Sequence, residues 1–151
     1  MIGVLQRVKK ASVWIKGEEI SKIGKGLLLF VGISRDDTEK DIEYIVKKVI
    51  NLRIFSDENN NLNLSLLDIE GELLVVSQFT LLGDTKKGRR PSFSKAMPPD
   101  EAKVFYNKLV GEFKKSKLVV KEGVFQEMME VKLINEGPVT ILVDSKEKKF
   151  N

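Results

Sequence analysis

The sequence has no cysteine and no histidine among its 151 residues. Without cysteine there is no disulfide framework, no thiolate nucleophile and no thiolate zinc site. Without histidine the Ser-His-Asp and Cys-His arrangements and the imidazole general base are excluded. Long apolar runs are missing as well: the longest, Leu27 to Ile33, contains Gly32 and falls far short of the ~20 residues that span a bilayer. Met1-Ile2-Gly3-Val4-Leu5-Gln6-Arg7 reads at once as a strand, with no charged segment ahead of an apolar one. A cytoplasmic protein with no membrane partner is expected. No phosphate-cradling glycine-lysine loop occurs, and Gly24-Lys25-Gly26 precedes a strand, the wrong order for nucleotide binding. Asp57, Asp84 and Asp144 show no paired spacing, so neither a metal nor a cofactor is expected. Any catalysis must therefore come from carboxylates, lysines, hydroxyls, backbone groups or the substrate itself.

What is present suits one compact domain, with 42% hydrophobic residues for a core and 32% charged residues for a surface. The domain is expected over residues 1–145, followed by a charged tail at 146–151 that frays. Ile2, Val4, Val8, Val13 and Ile15 alternate loosely ahead of a Lys16-Gly17 turn, predicting a hairpin. Leu27-Leu28-Leu29-Phe30-Val31 lacks alternation and predicts a strand buried on both faces. Thr38-Glu39-Lys40-Asp41 has the form of a capping box, and Ile42, Ile45, Val46, Val49 and Ile50 follow at helical spacing. A second hairpin is predicted around Ser56–Asn61, and a buried strand over Glu72–Phe79 whose end turns polar. A second helix starts at Pro98-Pro99-Asp100-Glu101, with Ala102, Phe105, Tyr106, Leu109 and Phe113 on one face. Short strands near Leu118–Val120 and over Val131–Ile134, a Gly-Pro turn and a last strand Val139–Val143 complete an α/β reading: mixed sheets covered on one side by two main helices.

The net charge of +4 and a pI near 9.2 lean toward a polyanionic partner. Lys86, Lys87, Arg89 and Arg90 crowd one loop beside Phe93, a pattern that either tracks phosphates or is simply a solvated surface loop. Thr80, at the end of a strand, is a nucleophile only if a base activates it, and no base is evident; the alternative is a hydroxyl bonded to a strand end. Asn135-Glu136-Gly137-Pro138-Val139-Thr140 reads locally as a strand connection with a constrained backbone.

Taken in order, Gln6-Arg7-Val8, Ala11-Ser12-Val13, Asn51-Leu52-Arg53-Ile54-Phe55, Ser77-Gln78-Phe79-Thr80-Leu81, Lys87–Phe93 and Asn135–Thr140 resemble the D-aminoacyl-tRNA deacylase family over roughly residues 1–145. The resemblance implies a three-layer α/β/β single domain that cleaves D-amino acids, and mischarged glycine, from the 3′ end of tRNA. It implies a homodimer with cross-subunit active sites, RNA and not DNA as the nucleic acid, and a cis Gly137-Pro138 peptide inserted into the partner's pocket as a chiral filter. By the same resemblance Ser77, Gln78, Thr80 and the Phe79 main chain line the pocket, Phe125 and Met129 lie near the terminal adenosine, and Arg7 holds the partner's Gly-Pro loop. Lys86, Lys87, Arg89 and Arg90 would meet tRNA phosphates. Thr80 is the family's proposed nucleophile; the competing view gives activation to the substrate's terminal 2′-hydroxyl, and the lack of a base near Thr80 favours the latter. The sequence departs from the family where Gln126 and Glu127 replace a usual Gly-Ala pair. A reading from another class, a tRNA-binding module without catalysis, predicts salt-sensitive binding and no turnover.

Overall fold

The structure, a computed structural model, describes residues 1–147. Its frame is a sheet in which β1 (Ile2–Ile15) takes three partners. On one side lie β2 (Glu18–Ile23) and β3 (Gly26–Gly32), and on the other β8 (Glu130–Asp144), all antiparallel to β1. β3 then pairs in parallel with β6 (Glu72–Ser77), and β6 in parallel with β7 (Val119–Glu122). Parallel neighbours need long crossovers. The first carries α1 (Glu39–Asn51) and a small hairpin of β4 (Phe55–Ser56) and β5 (Leu62–Leu64); the second carries α2 (Pro99–Lys114).

The central strands β3 and β6 are buried on both faces, which explains why Leu27–Val31 does not alternate. Leu27, Leu29 and Val31 pack with Ile45 and Val49 of α1 and with Tyr106, Leu109 and Phe113 of α2. Leu28 points the other way and joins Val8, Val13, Ile23, Leu74 and Val76 in a second core. The curled sheet covers that second core itself: Ser21 Oγ donates to the Glu122 carbonyl at 2.9 Å, and the Gly24 N–H donates to Glu72 Oε1 at 2.8 Å. The layers are thus helices, sheet and folded-over sheet, as the α/β/β expectation required.

Three local readings are corrected. The strands expected at Val131–Ile134 and Val139–Val143 are one continuous β8 with no chain reversal at Gly137-Pro138. Gln6 pairs with Thr140 and Val8 with Asn135, so Arg7 alone faces Glu136, Gly137, Pro138 and Val139. The apparent turn is a long bulge. The strand expected through Phe79 stops at Ser77, and a 3₁₀ turn over Phe79–Leu82 follows. The tail expected to fray from Lys146 begins docked, in a 3₁₀ turn over Ser145–Glu147; residues 148–151 lie outside the described residues.

That docking joins the ends of β1 and β8 to the start of α1. The buried Met1 ammonium donates to Asp37 Oδ1 at 2.6 Å and to Ser145 Oγ at 2.9 Å, and Ser145 Oγ donates to Asp41 Oδ1 at 2.6 Å. Lys146 Nζ sits 3.2 Å from Asp41 and 3.3 Å from Asp37. Asp41 also closes the expected capping box, accepting the Thr38 N–H at 2.8 Å. Burial opposes ionisation of Asp41, but hydrogen bonds from Ser145 and Thr38 and the Lys146 ammonium outweigh it and hold the carboxyl well below its ordinary 3.8.

The folded carboxyl is therefore a stronger acid than the unfolded one. Its stabilisation is complete above the ordinary carboxylate range and is lost as pH falls through that range toward the folded value. Asp41→Asn is expected to cost about 2 kcal/mol at neutral pH, the scale of hydrogen bonds to a charged group. The gap between wild type and variant should narrow between about pH 5 and pH 2, measured by urea denaturation at each pH.

Candidate active site

The site is built from the end of β6 outward. After Ser77 the chain leaves the sheet edge as Gln78, whose N–H donates to the Val31 carbonyl at 2.8 Å, and turns at once into the 3₁₀ turn. Gly32, at the end of β3, makes this possible: a Cβ there would collide with the Leu82 side chain and come within 3.0 Å of the Gln78 carbonyl. A side chain at this position would have to move the Leu82 methyl and press on the backbone of the turn. Gln78 Nε2 donates to Thr80 Oγ1 at 2.5 Å, and Thr80 is exposed. The partner of the Thr80 hydroxyl is thus an amide donor and not a base.

Ser77, Gln78, Phe79 and Thr80 line a cleft of about 850 Å³, together with Phe93, Phe125 and Met129. This is the size of a small-ligand site. Phe79 is 58% exposed and meets Phe93 edge to face, with ring centroids 5.1 Å apart, so two aromatic rings stand at the cleft mouth. Phe125 rests on Tyr106 at 5.6 Å, and the Tyr106 hydroxyl donates to the Val75 carbonyl at 3.2 Å. Burial, and secondarily Glu122, push that phenol's pKa up, so it remains a neutral donor. The Phe125 wall is therefore braced from α2 and the sheet.

The basic loop leaves from the same mouth. A pair of backbone hydrogen bonds between Asp84 and Ser92, at 2.8 and 2.9 Å, pins its base, and Lys86, Lys87, Arg89 and Arg90 are exposed beyond it. Among the described residues no carboxylate forms an ion pair with these four cations. No group of three acidic side chains that could hold a metal ion occurs among the described residues either.

The Gly-Pro bulge is elsewhere. Gly137 and Pro138 are exposed and do not line this cleft, and the peptide between them is cis. Arg7, only 8% exposed, secures the bulge from beneath. Its Nε donates to the Glu136 carbonyl at 3.2 Å and its Nη1 to the Ile54 carbonyl at 3.1 Å. The Asn135 amide closes the base of the bulge. With its oxygen turned toward Thr140 Oγ1, as its neighbours require, it accepts from Gln6 Nε2 at 3.2 Å and donates to the Arg7 carbonyl at 3.0 Å.

Comparison with known proteins gives this geometry a lineage. The family model described as D-Tyr-tRNA(Tyr) deacylase matches residues 4–144. The chain belongs to that family. A D-aminoacyl-tRNA deacylase of Thermodesulfovibrio yellowstonii is 56% identical over 146 residues, 97% of this chain and 100% of that protein. One from Thermosipho africanus is 55% identical, over 97% of this chain and 98% of its own. Among solved structures, a c-Myc DNA Unwinding Element Binding Protein aligns with a TM-score of 0.90 at 43% identity, covering 95% of this chain and 98% of its own. A structure titled as a probable eukaryotic D-amino acid tRNA deacylase shares the fold at a TM-score of 0.83 and 17% identity, over 94% of this chain and 97% of its own. The protein is accordingly a deacylase, a hydrolase of the aminoacyl-tRNA ester bond.

Of the residues the sequence singled out, the structure of the deacylase brings Ser77, Gln78, Phe79, Thr80, Phe125 and Met129 together in one cleft. It leaves Gly137, Pro138 and Arg7 apart from it, and the Arg7 guanidinium bonds the bulge of its own chain. Gln126 and Glu127 line the cleft without displacing Phe125 or Met129, and Gln126 adopts φ +66°, a conformation glycine takes more easily. Sequence reasoning missed Gly32 and Tyr106. A tight approach between a strand end and a turn 46 residues later carries no local signal.

Arg7→Gln removes the charged donor that joins the Glu136 and Ile54 carbonyls in a buried place. It is expected to destabilise the deacylase by about 2–3 kcal/mol, the scale of a lost charge-assisted pair of hydrogen bonds. Amide hydrogen exchange should rise most at Glu136, Gly137 and Val139, and a uniform rise across the sheet would contradict a local clamp.

Proposed function

We propose that the deacylase removes D-amino acids, and glycine, from the 3′-terminal ribose of tRNA while sparing L-aminoacyl-tRNA, as a cytoplasmic proofreader of translation. The terminal adenosine enters the cleft between Phe125, Met129 and the Phe79–Leu82 turn. Lys86, Lys87, Arg89 and Arg90 meet phosphates beyond the mouth. Water attacks the ester carbonyl carbon, the bond from that carbon to the ribose oxygen breaks, and the ribose oxygen takes up the proton. The products are the free amino acid and uncharged tRNA.

The observation that carries the chemical side is the Gln78 donor on Thr80. A hydroxyl that accepts from an amide N–H has no group to take its own proton, so its hydrogen is free to point at the substrate. Thr80 is then a positioning donor. Activation falls to the vicinal 2′-hydroxyl that every aminoacyl ester brings with it, with the Phe79 and Thr80 N–H groups available to the developing oxyanion.

The selective side rests on the separated bulge. Within one chain Gly137-Pro138 is exposed, rigidly held and remote from the cleft it is proposed to complete, which favours a homodimer in which each protomer's bulge closes the other's site. Carbonyl groups occupying the place of an L side chain exclude it sterically; a filter of this kind cannot reject a second hydrogen, so glycine passes. A Cβ on Gly137, which has φ +123°, would lie 3.1 Å from Arg7 Nη2 and 3.0 Å from Val139 Cγ2, so the bulge admits no side chain there without moving.

The test is a deacylation assay with D-tyrosyl-, L-tyrosyl- and glycyl-tRNA. Rapid hydrolysis of the first and third and none of the second is expected; equal hydrolysis of the D and L esters would remove the filter. Thr80→Ala should keep activity within about tenfold, whereas a terminal 2′-deoxy substrate should lose about a hundredfold or more, the range for a lost acid–base group. The reverse order would make Thr80 the nucleophile. Binding without turnover of any ester would favour the non-catalytic reading.

A further inference from the structure

Among the residues that line the cleft, Arg35 is the sole cation. It lies in the loop between β3 and α1, directly after a strand-like bridge between Ser34 and Ala96. Both its main chain and its side chain are fixed against the far end of the basic loop. The Arg35 N–H donates to the Lys95 carbonyl at 3.0 Å, and Nε donates to the Ser94 carbonyl at 2.6 Å. The neighbouring carboxylates are already committed, Asp37 to the Met1 ammonium and to Lys146, and Asp36 to Lys146. Arg35 forms no ion pair among the described residues, and its two terminal nitrogens have no hydrogen-bond partner among them.

A guanidinium whose Nε is spent on a carbonyl is held in one plane with its two terminal N–H groups presented as a fork. That fork matches two oxygens of a phosphate, and the rotamer entropy of forming the contact is largely lost in advance. The location fits the same ligand. Phe93 and Phe79 line the same cleft at its mouth, and the unpaired cations of the basic loop, Lys86 to Arg90, lie a few residues before the Ser94-Lys95 segment that Arg35 holds. A terminal nucleoside seated in the cleft has one charged group next to it, the phosphate on its 5′ oxygen.

We propose that Arg35 is a substrate-positioning residue that grips the 5′-phosphate of the tRNA's terminal nucleotide and sets the depth of the ribose in the cleft. This rests on the placement of the terminal adenosine given above. A purely structural role, latching the basic loop through Ser94, is the competing account, and the two differ in what the substrate must carry.

The experiment compares 3′-D-tyrosyl-adenosine with and without a 5′-phosphate, and D-tyrosyl-tRNA across a salt series, on wild type, Arg35→Gln and Arg35→Lys. Wild type should prefer the phosphorylated minimal substrate, and Arg35→Gln should cut that preference about tenfold, mainly through KM. The slope of log(kcat/KM) for tRNA against log salt should become shallower by about 0.7, the value for one phosphate contact on a single strand. Arg35→Lys keeps the charge but not the fork, so it should keep the slope and lose part of the preference. Should Arg35→Gln fail to fold, Arg35→Lys decides through the preference alone.

An equal loss on both minimal substrates, with preference and slope intact, would make Arg35 only a latch and overturn the proposal. So would the absence of any phosphate preference in wild type. Chiral selectivity is read from L-tyrosyl controls in the same assay: intact D over L selectivity without a phosphate preference defeats Arg35 alone. A phosphate preference without chiral selectivity defeats the filter alone.

Discussion

The Arg7 guanidinium determines where the longest strand pair in the molecule lets go of itself. β1 and β8 pair from Ile2 against Asp144 to Trp14 against Glu130, and along that ladder Arg7 is the position that faces four residues instead of one. A bulge of that size leaves backbone donors and acceptors without ladder partners, and buried orphans of this kind are costly. The guanidinium answers one of them and ties it to a second carbonyl outside the bulge. It reaches the Glu136 carbonyl on the bulge and the Ile54 carbonyl beyond α1, so sheet, helix layer and bulge are joined through one side chain.

The rest of the architecture follows from the sheet being covered twice. With helices on one face and its own curled strands on the other, the sheet has little of its surface left for a site, and the cleft is displaced to the edge where β6 ends. Ends of parallel strands are where main-chain groups become free to meet a ligand. Here the sheet hands over to a 3₁₀ turn that rests on Gly32, and the opposite wall, Phe125, is braced by Tyr106 from the helical core. The cleft is open, but what forms its floor is continuous with the most buried part of the chain.

Much of this was legible in the sequence, and the limits are instructive. The α1 capping box, the apolar face of α2 and the doubly buried β3 were read from local periodicity and appear as expected. The resemblance carried by the ordered motifs implies a shared pocket for Ser77, Gln78, Thr80, Phe125 and Met129, and these residues line one cleft. The bulge was misread as a turn because Gly-Pro announces a local change of direction, whereas whether the chain reverses depends on register with a strand more than a hundred residues away. Arg35 was silent: an arginine in a charged loop looks like solvated surface until its Nε is seen committed to the Ser94 carbonyl.

The lack of histidine and cysteine then becomes a statement about what kind of precision the site relies on. A catalytic imidazole can tolerate some play, because proton transfer is set by pKa as well as by distance. A site built from carbonyls, N–H groups and a hydroxyl that accepts from an amide has no such latitude, since its effect comes from where fixed dipoles point. Such a site has to be attached to parts of the fold that do not move. The two attachments seen here are of that type: a turn seated on a glycine where a Cβ would crowd Leu82 and the Gln78 carbonyl, and a bulge tied down by a buried guanidinium. The proposed selection by exclusion and the proposed catalysis by position make the same demand on the backbone, and the contacts that would meet it lie at Gly32 and Arg7, outside the proposed reacting groups.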